Sequence, residues 1–195
     1  MSEWTPEVAR SYAESYGEYP TNRLAVAELK LDAHATVVDI GCGTGCALRH
    51  AAAQVTAGQL IGIDPIEEML GYAQTRLEGH PAAGRIRFCK GPAHALPLAD
   101  AIADVVFAFD SFDHWGEGNH LAGLGEVRRV LRPGGQFVVV KDGGIPQHGS
   151  AGRLETCLER AGFEVVDARE ISASEVTFAL WLCRVRGTDQ ASRKK

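Results

Sequence analysis

No apolar run in this chain approaches the roughly 20 residues that cross a bilayer, which excludes a membrane-spanning helix. The first ten residues carry Glu3, Glu7 and no apolar stretch, so they do not read as a signal peptide, and a cytoplasmic location is expected. There is no basic excess: 20 Lys and Arg stand against 25 Asp and Glu, a net charge of −5. The basic residues are scattered except between Arg184 and Lys195, where Asp189 interrupts them. A nucleic-acid partner, which requires a basic face, is therefore not expected. The five cysteines, Cys42, Cys46, Cys89, Cys157 and Cys183, form no C-x-x-C pair and no Cys/His metal spacing. They read as free thiols in a reducing compartment, and no metal is expected. Repeats and linkers are also missing, so 195 residues should make a single domain over 1–186 with a flexible tail at 187–195.

What is present is an alternation of short β-branched runs with amphipathic stretches. The runs lie at 36–40, 60–64, 86–89, 105–109 and 137–140. Between them Ile66, Met69, Leu70, Ala73 and Leu77 recur at helical spacing, as do Leu121, Leu124, Val127 and Leu131, and then Leu154, Cys157, Leu158 and Ala161. Ser150 is placed to cap the last of these helices and Gly162 to end it. The final runs, 163–167 and 176–185, are too close for a crossover helix and should pair antiparallel. The expected fold is therefore α/β: a Rossmann-like, doubly wound, seven-stranded sheet, mostly parallel with an antiparallel last strand and helices on both faces. Before residue 36 two helices are expected, with Thr5-Pro6 starting the first and Thr21 capping the second.

The strongest chemical signal is Val37-Val38-Asp39-Ile40-Gly41-Cys42-Gly43-Thr44-Gly45, a buried strand running into a loop with glycine at every second position. Glycines there allow a tight turn and let a ligand lie against the main chain. The second strand ends in Gly62-Ile63-Asp64-Pro65, so Asp64 stands 19 residues after Gly45 (64 − 45). In a doubly wound sheet that carboxylate faces the crevice and can accept hydrogen bonds from both hydroxyls of a ribose. A dinucleotide site would have G-x-G-x-x-G, but the third glycine position here is Cys46 and the spacing is G-x-G-x-G. Asp39 points where a pyrophosphate would lie and repels it; it suits a cationic ammonium and sulfonium, which favours S-adenosylmethionine.

The match extends beyond this loop. Ala95-Leu96-Pro97-Leu98 with Ala103-Asp104-Val105-Val106, His114-Trp115, and Glu126-Val127-Arg128-Arg129-Val130-Leu131-Arg132-Pro133-Gly134-Gly135 follow in order. With the glycine loop and Gly62-Ile63-Asp64, these five segments resemble the class I S-adenosylmethionine-dependent methyltransferases, and most of all the branch of ubiquinone and menaquinone biosynthesis methyltransferases. The resemblance implies that Asp39, Gly41 and Gly43 line the methionine moiety, that Cys42 and Gly45 of the same loop also bind the cofactor, and that Asp64 holds the ribose. It implies that Gly91-Pro92-Ala93-His94 covers the adenine, with the Ala93 amide as direct contact and Ile63 and Pro65 as apolar neighbours. Many relatives have an acid at the position of Pro92, so a carboxylate contact to the adenine is not expected. The region 1–31 would be a helical lid, with Tyr16 reaching the cofactor.

Methyl transfer from a sulfonium is an in-line displacement, so the protein must mainly align acceptor and methyl. His114 is the candidate base where the acceptor must lose a proton, and Asp110 is expected at the amino-acid end of the cofactor. Asp110, Asp113 and Asp142 could alternatively form a metal site of the catechol-methyltransferase type. The short stretch Asp142–His148 points to a small-molecule acceptor or an open pocket. Competing classes are a NAD-dependent oxidoreductase, which needs a nicotinamide site, and a non-catalytic S-adenosylmethionine-binding partner protein, which would bind without turnover. The oligomeric state is not readable from the sequence.

Overall fold

The computed structural model describes residues 4–116, 118–143, 150–173 and 176–187, and for residues 150–153 the backbone alone. The expected tail beyond Gly187, and residues 144–148 of the expected acceptor loop, lie outside the described residues. In chain order the elements are α1 (Pro6–Tyr16), α2 (Pro20–Ala27), β1 (Thr36–Ile40), α3 (Cys46–Ala51), β2 (Gln59–Asp64), α4 (Glu67–Leu77) and β3 (Ile86–Lys90). There follow β4 (Ala103–Phe109), α5 (His120–Val130), β5 (Leu131–Asp142), α6 (Ser150–Arg160), β6 (Phe163–Ala173) and β7 (Val176–Val185). The strands form one sheet in the order β3-β2-β1-β4-β5-β7-β6. The pairs β3-β2, β2-β1, β1-β4 and β4-β5 are parallel, whereas β7 runs antiparallel to both β5 and β6. The expected seven-stranded, doubly wound arrangement is the observed one.

This order places the site. From β1 the chain moves outward through β2 and β3, then returns to the other side of β1 as β4. The carboxyl ends of β1 and β4 thus flank a topological switch point, the place where open α/β sheets leave a crevice. Strand β1 is apolar almost throughout because both of its faces are covered. Val38 and Ile40 join Phe137, Val139 and Trp181 in a core that α5 and α6 cover with Leu124, Val127 and Leu158. Val37 joins Leu60, Phe107, Val138 and Leu180 in a second core that α2 and α3 cover with Ala25, Val26 and Leu48. A smaller cluster of Ala9, Ala13 and Met69 fastens α1 to α4.

Local signals account for most boundaries. The Thr5 hydroxyl accepts from the Val8 amide (3.3 Å), and Pro6 occupies the first helical turn of α1. Thr21 does not cap α2. Pro20 fits the first helical position, so the helix begins two residues earlier than a Thr21 cap would set it, and the buried Thr21 hydroxyl donates instead to Asp142 Oδ1 at 3.2 Å. Leu131, counted above in the stripe of α5, opens β5, where it pairs with Ala103 before a register shift. β6 extends to Ala173, well past the expected 167, because it is an edge strand whose burial alternates; the polar residues on its open face, Glu164 and Ser172 among them, mask the pattern and discourage edge-to-edge pairing.

The motifs around 95–98 and 126–129 are halves of one device. Glu126 Oε2 accepts from the Leu96 amide (2.7 Å) and from Arg129 Nη2 (2.8 Å), while Oε1 accepts from Arg129 Nε (2.7 Å). Arg129 also donates to the carbonyls of Leu98 (2.7 Å) and Leu96 (3.1 Å) and to Asp100 Oδ1 (2.8 Å). The fork of the guanidinium therefore binds the segment before β4 to α5. Arg129→Met should lower stability by about 2–3 kcal/mol, since it strips several charge-assisted bonds. This is read as a lower denaturant midpoint at unchanged slope. Arg129→Lys should recover little of the loss, because an ammonium cannot span the carboxylate and both carbonyls.

Candidate functional site

The glycine loop is closed against the end of β2. The amides of Gly41 and Cys42 both donate to the Ile63 carbonyl, at 2.8 and 3.1 Å. Gly41 has φ +72°, and a Cβ there would lie 2.5 Å from Ser111 Cβ. Gly45 has φ +73°, and its Cβ would lie 2.8 Å from Phe88 Cζ. Gly45 thus allows the close approach between loop and sheet that a dinucleotide site obtains from its third glycine. Cys42 is buried beneath the loop, where burial and the charges of Asp39 and Asp64 push its thiol up, away from reactivity.

Two carboxylates stand at the ends of β1 and β2. Asp39 is 2% exposed, and burial, reinforced by the charge of Asp64, pushes its pKa up to about 8. Asp64 is buried as well; its pKa is raised by burial and held down by two amides. Its Oδ1 accepts from Ile66 N (2.9 Å) and its Oδ2 from Gly43 N (3.0 Å). The bond to Ile66 is the local turn expected of an aspartate before proline; the bond to Gly43 spans 21 residues and fastens the loop to β2. A carboxylate offers about four acceptor positions, so two remain for a ligand.

Beyond β3 the chain folds back along this edge. The Gly91 amide donates to the Asp64 carbonyl (3.2 Å), and the Ala95 amide to Pro92 (3.1 Å), forming a turn with Ala93 buried and His94 exposed. Pro65 is exposed beside Asp64. Ile63, expected as an apolar ligand contact, is fully buried in the core, because the strand alternation that turns Asp64 to the crevice turns Ile63 away. Ile66, which sequence reasoning assigned only to the helical stripe, is the half-buried apolar side chain that follows Asp64.

Asp110 follows β4 in the left-handed region, with φ +50°. A non-glycine residue there stores strain of about 1–3 kcal/mol and is a frequent mark of functional positions. Its amide donates to Val140 O (2.9 Å), and its Oδ1 accepts from the Asp142 amide (2.6 Å). Burial, together with the charge of Asp142, pushes its pKa up to about 6 against the pull of that hydrogen bond, Lys141 and His114. Asp113 is paired with Lys141 (2.5 Å), and among the described residues Asp110, Asp113 and Asp142 do not converge as a group of possible metal ligands. His114 is exposed on the short 3₁₀ turn Phe112–His114, while Trp115 packs into the core against Phe112 and Phe137. The His-Trp pair thus divides its roles.

The N-terminal helices lie over this crevice. Tyr12, Tyr16 and Tyr19 form a chain of ring contacts at 5.2 and 6.0 Å. The tyrosine closest in electrostatic terms to Asp110 and Asp64 is Tyr12, whose pKa is raised first by burial and then by those two charges. Tyr16 is 52% exposed, and Tyr19 is hydrogen-bonded to Asp142. Helical spacing put Tyr12 and Tyr16 on one face; which of them turns inward depends on how α1 docks on α4. The segment is held down by Thr44 Oγ1 donating to the Gly17 carbonyl (2.6 Å), Arg76 Nη2 donating to the Ala13 carbonyl (2.8 Å), and an ion pair between Arg49 and Glu18. Among the described residues one group of three metal-ligating side chains comes together, Glu18, Cys46 and His50, which sequence spacing did not single out.

Residues 37–135, just over half of the chain, match the family described as "Methyltransferase domain". The chain is 28% identical over 156 residues to the O-methyltransferase rstn1 of Aspergillus nomiae, covering 69% of this chain and 67% of that one. It is 30% identical over 120 residues to the ubiquinone/menaquinone biosynthesis C-methyltransferase UbiE of Geobacter sp. strain M21, covering 61% of this chain and 50% of that one. The chain thus spans about half to two thirds of the length of these curated relatives. A solved structure of a SAM-dependent methyltransferase from Aquifex aeolicus superposes with a TM-score of 0.74 at 23% identity, covering 94% of this chain and all of that one, a likeness of fold. No helix among the described residues is long and apolar enough to cross a membrane. The matched residues run from β1 to the turn inside β5 and take in the glycine loop, both buried carboxylates and Asp110, and the chain accordingly belongs to the family of methyltransferase domains.

Proposed function

We propose that this chain binds S-adenosylmethionine in the crevice and transfers its methyl group to a small-molecule acceptor, leaving S-adenosylhomocysteine. The observation that carries the reading is the buried Asp39 carboxyl beside a glycine loop and a second buried acid, Asp64. An acid raised to about 8 by burial is stabilised in its ionised form by a cation, and an ammonium or sulfonium supplies one. A phosphate would make the same site worse.

In this reading Asp39 and Asp110 hold the cationic end of the cofactor, while Gly41, Cys42, Gly43 and Gly45 form the wall against which it lies. Asp64 takes the ribose hydroxyls on its two free acceptor positions. Pro65, Ile66, Ala93 and His94 flank the adenine, with the Ala93 amide as donor. Residues 1–186 act as one unit in which 1–31 are a lid, with Tyr12 turned toward the ligand and the exposed Tyr16 reaching it only as the lid closes. The cofactor supplies a methyl on a sulfonium, a leaving group that departs as a neutral thioether. The protein holds the acceptor in line, an effect worth up to about 7–11 kcal/mol. His114, at the mouth, accepts the proton where the acceptor is a hydroxyl. The names of the relatives, an O-methyltransferase and a C-methyltransferase of quinone biosynthesis, support phenols and quinols as the first acceptors to try.

Calorimetric titration at pH 7 in two buffers of different ionisation enthalpy should report release of close to one proton on S-adenosylmethionine binding, because Asp39 is protonated in the free protein below about pH 8 and ionises against the ligand. The release should fade above pH 8 and vanish in Asp39→Asn; unchanged release in that variant would assign the proton elsewhere. The free protein should also lose stability as pH rises from about 4 to about 8, since the unfolded aspartate ionises first and the buried one resists. Asp39→Asn flattens that slope.

Asp64→Ala should weaken S-adenosylmethionine and S-adenosylhomocysteine alike, by about ten- to a hundredfold, because both carry the ribose. With labelled cofactor and a panel of phenols and quinols, transfer should fall by about 10²–10⁴ in His114→Gln while cofactor affinity holds. Tight binding with no transfer to any acceptor would replace the enzyme by a non-catalytic binding partner. Binding of NAD in place of S-adenosylmethionine would overturn the reading.

A further inference from the structure

The side chains of Glu18, Cys46 and His50 converge so that one ligand atom from each lies within 4.8 Å of the other two. Cys46 and His50 stand four residues apart on α3 and so share one side of it. Glu18 comes from the turn between α1 and α2 and is separately fastened. Its Oε1 is gripped by Arg49 and lies 3.4 Å from Arg76 Nη1, while its Oε2 stands 3.5 Å from Cys46 Sγ. The two arginines thus hold one oxygen and leave the other turned to the thiol, the arrangement in which an outer partner orients a ligating carboxylate.

We propose that Glu18, Cys46 and His50 form a binding site for a thiophilic divalent ion of the zinc class, which ties the N-terminal helices to the glycine-loop side of the sheet.

The donor set selects the ion. Sulfur, imidazole nitrogen and a single carboxylate oxygen suit a four-coordinate zinc-like ion with water in the fourth place. They do not suit calcium or magnesium, which take six or more oxygens. The surrounding charge points the same way. Arg49 and Arg76 face Glu18, and Arg23 and His80 lie near His50, so an ion held by charge alone would be repelled. Covalent character in a metal–thiolate bond is what could hold one here, with the Cys46 proton released to solvent as the bond forms. Access is open, for the Glu18 side chain is 57% exposed while Cys46 lies buried behind it.

Position gives the site a consequence. Gly17, next to Glu18, accepts the Thr44 hydroxyl from the glycine loop, and Cys46 follows Gly45 directly. An ion held by both sides would clamp the lid and slow exchange of whatever the crevice binds. This second clause rests on the proposed cofactor reading; metal binding does not.

The test uses the full chain, stripped with a chelator and titrated with Co²⁺ alone. One equivalent should bind with a thiolate-to-cobalt charge-transfer band and tetrahedral visible bands, and Zn²⁺ should displace it. Cys46→Ser should abolish the charge-transfer band, Glu18→Gln and His50→Gln should each weaken binding ten- to a hundredfold, and Cys157→Ser should change nothing. Zn²⁺ should also protect Cys46 from alkylation, mapped by mass spectrometry, without protecting Cys157. Absence of the band, or its survival in Cys46→Ser with circular dichroism unchanged, overturns the site. Release of bound S-adenosylhomocysteine should slow at least tenfold with Zn²⁺. A bound ion with an unchanged release rate overturns the clamp, whereas a chain that binds the ion but no S-adenosylhomocysteine sinks the cofactor reading and leaves the site standing.

Discussion

The bond from the Gly43 amide to Asp64 Oδ2, with its companion from Ile66 to Oδ1, is the constraint on which the crevice depends. It joins the loop after β1 to the end of β2 and fixes a buried charge beside the glycines. A carboxylate so buried needs partners, and backbone amides provide two without using all of its acceptor capacity. What remains is a preformed place for hydroxyls. Asp39 gains no such relief, and burial with the charge of Asp64 beside it raises its pKa to about 8. The polarity of the crevice follows from that pair: two buried acids at the strand ends, with main-chain amides turned toward one of them.

Around this centre the rest of the fold behaves as support. The double covering of β1 by two cores makes its end rigid, and the Glu126–Arg129 fork locks the segment leading into β4, whose far end carries Asp110. The N-terminal helices are held differently. Apart from the small cluster on α4 and the packing of α2, their grip on the glycine-loop side is polar: Thr44, Arg49 and Arg76 reach carbonyls or a carboxylate. Hydrogen bonds and partly exposed ion pairs are individually weak, so these helices are held less firmly than the strands of the sheet they cover.

The sequence by itself determined the fold class, the antiparallel ending, the glycine loop and the two acids. Each rests on a local signal: periodicity, a left-handed glycine, or a carboxylate at a fixed place after a strand. Thr5, Pro6 and Gly162 acted where their chemistry put them, because caps and stops are short-range. Ends of strands were less legible; β6 on the sheet edge wears polar residues on its open face, and β5 absorbs a residue that helical spacing had claimed.

Tertiary structure decided what depends on facing. The alternation along β2 sends Asp64 to the crevice and Ile63 to the core, and only the docking of α1 on α4 sets Tyr12, rather than the exposed Tyr16, nearest the acids. Thr21 forsook its cap for Asp142, 121 residues away. Glu18 meets Cys46 and His50 only because the turn between α1 and α2 packs against α3, and no spacing along the chain announces a contact made by packing two elements whose order in sequence does not fix their angle.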